Sequence, residues 1–122
     1  MIYITNAFSL AMLDDRAQAF HVPIHVNVER IGPKDVRRIL NRHPNYVSTY
    51  GHINSARHLE KLLGHQINVS RKMLRLLPGD KVIVCGAIYR DRDAKKDADK
   101  VPAWWIFHLV SLYEPKGQQH DY

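Results

Sequence analysis

The sequence predicts a single α/β domain over residues 1–114: a mixed sheet of about five strands with helices mainly on one face. A flexible tail is expected at 115–122. Three observations predict this class. Residues 81–89 and 104–113 are apolar on both faces, the pattern of strands in the middle of a sheet. Residues 22–31 alternate, with Val22, Ile24, Val26 and Val28 on one side and Pro23, His25, Asn27 and Glu29 on the other. Residues 53–63 carry an apolar stripe at helical spacing (Ile53, Ala56, Leu59, Leu62, Leu63), and Gly64 follows where a left-handed cap belongs.

The elements follow in order. Residues 2–6 open the chain as a short β run, and residues 8–13 are expected to form one or two helical turns, with Ser9 exposed near their start. The alternating run at 22–31 is assigned to a sheet edge, because Pro23 has no amide hydrogen to give to a neighbour. Pro33 sits where helices start. Val36, Ile39 and Leu40 share one face of that helix, Arg37, Arg38 and Arg42 lie on or near its outside, and His43-Pro44 ends it. The second helix begins near Gly51-His52-Ile53-Asn54-Ser55, with Asn54 or Ser55 as the expected N-cap. Residues 67–71 read as a short strand or a turn. Met73, Leu74 and Leu77 suggest a brief helix, stopped by Pro78-Gly79-Asp80. Residues 91–100, almost entirely charged, are expected to be an exposed loop between two strands.

Composition narrows the function classes. Of 122 residues, 45% are hydrophobic and 25% charged, which excludes a disordered chain and a collagen-like fibre. Cys85 is the one cysteine, so neither an intrachain disulfide nor a cysteine-rich metal site can form; a reducing cytoplasm fits. No apolar run approaches the roughly 20 residues that span a bilayer. The opening stretch lacks the basic leader of a signal peptide and reads as structure. Lys plus Arg outnumber Asp plus Glu by 18 to 12, a net charge of +6 that favours anionic partners without specifying nucleic acid. There is no phosphate-binding P-loop, no dinucleotide fingerprint and no HExxH pair, and no cofactor is expected. His21 and His25 share a strand face but have no third ligand, so they read as surface histidines rather than a metal site. Trp104, Trp105 and Phe107 are expected to pack in the core rather than stack on bases.

The candidate chemistry centres on His52, which its position singles out from eight histidines. It follows a glycine and precedes a helix, whose first amides and positive pole favour a phosphate. A histidine beside a phosphate can hand a proton to a leaving oxygen near neutral pH. Arg71 and Arg90, each near a strand end, have the forked guanidinium that matches phosphate; the competing reading is a solvated surface arginine. Asn6, Ser9, Asn54 and Ser55 can hydrogen-bond a phosphate or sugar, or serve as cap and turn residues. Asp93 can accept a proton or orient an arginine.

Two stretches together carry a resemblance. Tyr3-Ile4-Thr5-Asn6-Ala7-Phe8-Ser9-Leu10-Ala11-Met12-Leu13 resembles the opening of the ring nucleases that archaeal viruses use as type III anti-CRISPR proteins. Gly51-His52 with its amphipathic helix, then Arg71, then residues 81–90, match the same family in order and approximate spacing, so that the likeness covers roughly residues 1–95. The resemblance implies a metal-independent homodimer that degrades cyclic tetra-adenylate, the second messenger of type III CRISPR systems, to linear oligoadenylates with 2′,3′-cyclic phosphate ends. By similarity His52 would be the general acid, Arg71 and Arg90 would hold the ring and its phosphates, and Ser9 would lie near the ligand. Family members carry a glutamate shortly after the second arginine, where this chain has Asp93.

Two other expectations compete. Arg37, Arg38 and Arg42 on one helix can grip duplex DNA phosphates in a non-catalytic viral or mobile-element regulator. A sponge would bind the cyclic ring without cutting it. An enzyme loses turnover but keeps binding when His52 is removed; a duplex binder is indifferent to that change.

Overall fold

The computed structural model describes residues 1–13, 23–91 and 100–114. The expectations for Val22, His21, Asp93, most of the 91–100 run and the 115–122 tail lie outside these residues. Five strands are present: β1 (Ile2–Thr5), β2 (His25–Ile31), β3 (Val47–Thr49), β4 (Lys81–Ile88) and β5 (Trp104–Tyr113). Two α-helices, α1 (Pro33–Arg42) and α2 (Ile53–Leu63), accompany them. The strands form one mixed sheet in the order β2-β5-β4-β1-β3. β1 is parallel to both β3 and β4, while β5 runs antiparallel to β4 and to β2. The two strands with apolar residues on both faces therefore lie inside the sheet, and the alternating one lies at its edge, as their patterns require.

Both helices cover one face. Val36 and Leu40 of α1 and Ala56, Leu59 and Leu63 of α2 pack on Ile2, Ile4, Ile83, Cys85 and Phe107 of the sheet. Pro33 is at the start of α1, where Asp35 accepts the Gly32 amide at 2.9 Å, and His43 closes the helix. Gly64 ends α2 at φ 69°, a left-handed conformation that glycine adopts without steric cost.

The other face carries a smaller core of Leu74, Leu76, Val82, Val110 and Leu112, joined by Phe8, Met12, Ile24 and Val26. Extended chain covers it rather than the brief helix expected from Met73, Leu74 and Leu77. Burial here alternates residue by residue: Leu74 and Leu76 are inside, Met73 and Leu77 outside. That two-residue period is a strand's, and Leu76 forms a parallel bridge to Leu13. Residues 8–13 form a single 3-10 turn, Leu10–Met12.

Four further expectations are corrected. Val28 is exposed, because the second core ends at Val26 on an edge strand with one neighbour. Ile53 is exposed because α2 first meets the sheet at Ser55 and Ala56. The N-cap of α2 is His52, not Asn54 or Ser55. Residues 67–71, expected to be a short strand or a turn, form neither and contribute one bridge, Val69 to Tyr50, and the neighbouring β3 was not expected at all; three residues of which two are polar leave no period to read.

Candidate active site at the C-terminal ends of the parallel strands

β1 and β3 run side by side and finish together, Thr5 opposite Thr49. In open α/β sheets ligands bind where such carboxyl ends open into a crevice. Three side-chain contacts build this end. The Thr5 hydroxyl donates to the Thr49 carbonyl at 3.2 Å. The Gly51 amide donates to Asn6 Oδ1 at 2.8 Å. Tyr50, almost fully buried, donates its hydroxyl to the Cys85 carbonyl at 2.8 Å, which ties the end of β3 to β4 across β1. Burial pushes the Tyr50 hydroxyl far above its usual range, so it remains a donor. Burial likewise raises the Cys85 thiol, which makes it a core side chain rather than a nucleophile.

His52 stands on this anchored turn. Its backbone is extended, and the first intrahelical bond of α2 is from the Ala56 amide to the His52 carbonyl at 2.9 Å. No side-chain hydrogen bond from His52 caps the start, and the first-turn amides have no acceptor within the helix itself. The imidazole is half-buried. Its Nδ1 is enclosed without a hydrogen-bond partner, which leaves Nε2 as the accessible nitrogen.

On one side of this turn lies a hollow of about 230 Å³. Asn6, Thr49, Gly51, Ser70, Arg71 and Lys72 line it, and among the described residues no acidic one does. Arg71 arrives there because residues 66–70 climb beside β3: the Tyr46 hydroxyl donates to the Gln66 carbonyl, the Ser48 hydroxyl to Asn68, and the Ser70 amide to Tyr50. On the other side, Tyr89 joins β4 to α2. Its hydroxyl lies 2.8 Å from Ser55 Oγ and accepts from Asn54 Nδ2 at 3.4 Å; Asn54 Nδ2 also donates to the Lys100 carbonyl at 3.2 Å. Arg90, the next residue, is exposed beside this network.

The structure thus brings Asn6, Gly51 and Arg71 to one flank of His52 and Asn54 and Ser55 to the other, while Arg90 is exposed one residue beyond Tyr89. Ser55 is buried and its hydroxyl is engaged with Tyr89, so it shapes the turn. Ser9 is exposed at the start of the 3-10 turn and lies outside the wall of the hollow. Asp93 lies outside the described residues. Sequence reasoning missed Thr49, Ser70, Lys72 and Tyr89. The polar run Ser70-Arg71-Lys72 was the available signal for two of them; Tyr89 looked like one more apolar residue of its strand.

Elsewhere, Arg37 donates to the Leu62 carbonyl at 3.1 Å and Arg38 pairs with Asp35 at 3.6 Å. Of the three arginines expected to grip duplex phosphates, two are occupied within the fold. Phe107 is in the core with Trp105 stacked on it, while Trp104 is exposed. His25 sets its ring edge against Tyr113. Among the described residues no group of three or more His, Cys, Asp or Glu side chains gathers to hold a metal ion, and no helix is long and apolar enough to cross a membrane.

Comparison with known proteins places this geometry. A family model described as STIV B116-like matches residues 2–97, a span that contains both flanks of His52. Among solved structures the chain is similar to B116 of Sulfolobus turreted icosahedral virus, with a TM-score of 0.66 and 18% identity over 90% of this chain and 97% of that one. At that identity the likeness is one of fold. No curated protein matches.

Proposed function

Because this chain belongs to the STIV B116-like family, a viral protein family with His52 and both its flanks inside the matched span, we propose that it is a metal-independent ring nuclease acting on cyclic tetra-adenylate. The observation that carries the reading is the placement of His52: an accessible Nε2 at an uncapped helix start, beside a hollow that holds Arg71 and, among the described residues, no carboxylate. The likeness of residues 3–13 and of the Gly51-His52 segment to the anti-CRISPR ring nucleases supports the substrate and the reaction.

The chemistry needs little beyond positioning. The ribose 2′-oxygen next to the scissile phosphate attacks phosphorus, the bond from phosphorus to the 5′-oxygen breaks, and the 2′-hydroxyl proton leaves to solvent. His52 Nε2 delivers a proton to the departing 5′-oxygen, and the product ends in a 2′,3′-cyclic phosphate. Arg71 and Arg90 hold the phosphates from the two flanks, and the first-turn amides of α2 stabilise charge on the phosphoryl oxygens. Asn6 fixes the Gly51 backbone. A homodimer would present two such sites to one symmetric ring, and cleavage would silence type III CRISPR signalling in the cytoplasm.

The test incubates the protein and its His52→Ala variant with cyclic tetra-adenylate in EDTA and identifies the products by chromatography and mass. Linear products with cyclic phosphate ends, formed by the parent and not by the variant, are expected. A ring left intact by excess protein overturns the reading, and retained tight binding would then make the protein a sponge.

A further inference from the structure

A second hollow opens at the opposite end of the sheet, where β1 and β4 begin and α1 ends. It measures about 410 Å³, nearly twice the hollow beside His52 and within the range of small-molecule sites. Its wall combines three features. Arg42, His43 and Lys81 place three nitrogen-bearing side chains around it, all exposed, and neither Arg42 nor Lys81 has an ion pair among the described residues. Ile2 and Pro44 supply apolar surface, and Tyr46 spends its hydroxyl hydrogen on the Gln66 carbonyl at 2.6 Å, so its contribution here is largely its ring. Among the described residues no acidic side chain is in the wall. The adjacent Asp80 is committed, one oxygen to the Leu77 amide at 2.9 Å and the other to the Met1 amino group at 3.4 Å.

The C-terminal half-charge of α1 points here and opposes an anion. The His43 amide already takes up the Ile39 and Leu40 carbonyls, and two full positive charges outweigh what remains. Converging cations over an apolar and aromatic floor suit a ligand with a charged head and a flat body.

We propose that this hollow is a second binding site, for a nucleoside monophosphate, with Arg42 and Lys81 on the phosphate and the Ile2, Pro44 and Tyr46 surface against the base. The site is independent of His52 and lies at the other end of the strands.

The test titrates adenosine 5′-monophosphate, adenosine and inorganic phosphate into the His52→Ala protein by calorimetry, and follows the Ile2, Tyr46 and Gly79 amide signals by NMR. Saturable binding of the nucleotide is expected, tighter than either fragment, with shifts at those three amides. The Arg42→Gln/Lys81→Gln protein should bind about tenfold more weakly or worse. Arg71→Ala should bind as before, and the Arg42→Gln/Lys81→Gln change in an otherwise unaltered chain should leave ring cleavage as it is. Binding lost with Arg71→Ala instead, phosphate binding as tightly as the nucleotide, or no saturable binding overturns the proposal. The amide shifts decide the matter if the double variant does not fold. Failure of ring cleavage alone bears on His52 and leaves this site standing.

Discussion

The two ends of the parallel strands differ in what makes them attractive to an anion. At the carboxyl ends, backbone does much of the work: the uncapped start of α2 at His52, on a turn that the Gly51 amide ties to Asn6. At the amino ends, the helix pole has the wrong sign, and the side chains Arg42 and Lys81 must supply the charge. Each end also has a histidine, His52 at the turn beside the first hollow and His43 in the wall of the second, and among the described residues neither wall contains a carboxylate. The difference teaches that net charge does not locate chemistry in this protein. The basic side chains are spread over both ends, and the proposed acid stands where a helix begins on a turn anchored to two strands.

The largest expected effect breaks that contrast directly. His52→Ala should lower single-turnover cleavage of the cyclic ring by about 10²–10⁴-fold, the usual contribution of a positioned acid, and change equilibrium binding of the ring by only a few-fold. A parallel loss of binding would show that the imidazole holds the ring rather than protonates it.

Next is the support beneath the site. Leu59 is fully buried between α2 and the sheet. Leu59→Ala should cost about 2–5 kcal/mol in chemical denaturation, because the cavity it leaves cannot fully collapse. A cost below about 1 kcal/mol would mean that α2 is not clamped as described.

Asn6→Ala sharpens the comparison at smaller scale. The Gly51 amide loses its acceptor, for a stability cost of about 1 kcal/mol at this partly solvated position. Turnover should fall by more than that stability change accounts for, since the freed turn carries His52. Equal losses in thermal denaturation and kinetic assays would reduce Asn6 to a structural tie.

The smallest effect is an acid-sensitive one. Glu60 holds the base of α2 by accepting from Arg57 and from the Ile67 amide, and the Arg57 hydrogen bond keeps its carboxyl below the usual glutamate range. A carboxyl depressed in the folded state stabilises the fold above its unfolded pKa, and that contribution is lost as pH falls through the lower folded value. The parent should therefore be more stable than Glu60→Gln above about pH 5, and the gap should narrow as pH falls below the usual glutamate range. Denaturation midpoints across that range check the sign.

Legibility in the sequence follows the strength of each local pattern. The Ala56, Leu59 and Leu63 stripe of α2 with Gly64, the doubly apolar β4 and β5, and Pro33 at the head of α1 were readable because burial and cap geometry write directly onto residue spacing, whereas Ile53 and Leu62, read into the same stripe, are exposed. β3 was not, since Val47-Ser48-Thr49 takes its place by pairing with β1, 44 residues away in sequence. The 73–77 run was misread because Met73, Leu74 and Leu77 also fit a helical face; only its bridge to Leu13 selects the extended form. His52, Arg71 and Arg90 could be named from residue type and neighbours, but Tyr89 could not, because its role exists only once β4 lies against α2.

By itself, then, the sequence determined the class of fold, the edge and centre of the sheet and the helix at whose head His52 stands, all consequences of short-range periodicity and backbone preference. The tertiary structure alone decided which side chains share a hollow, which arginines are already occupied, and that cationic surface gathers at both ends of the sheet. Those depend on register between distant segments, and no local pattern encodes register.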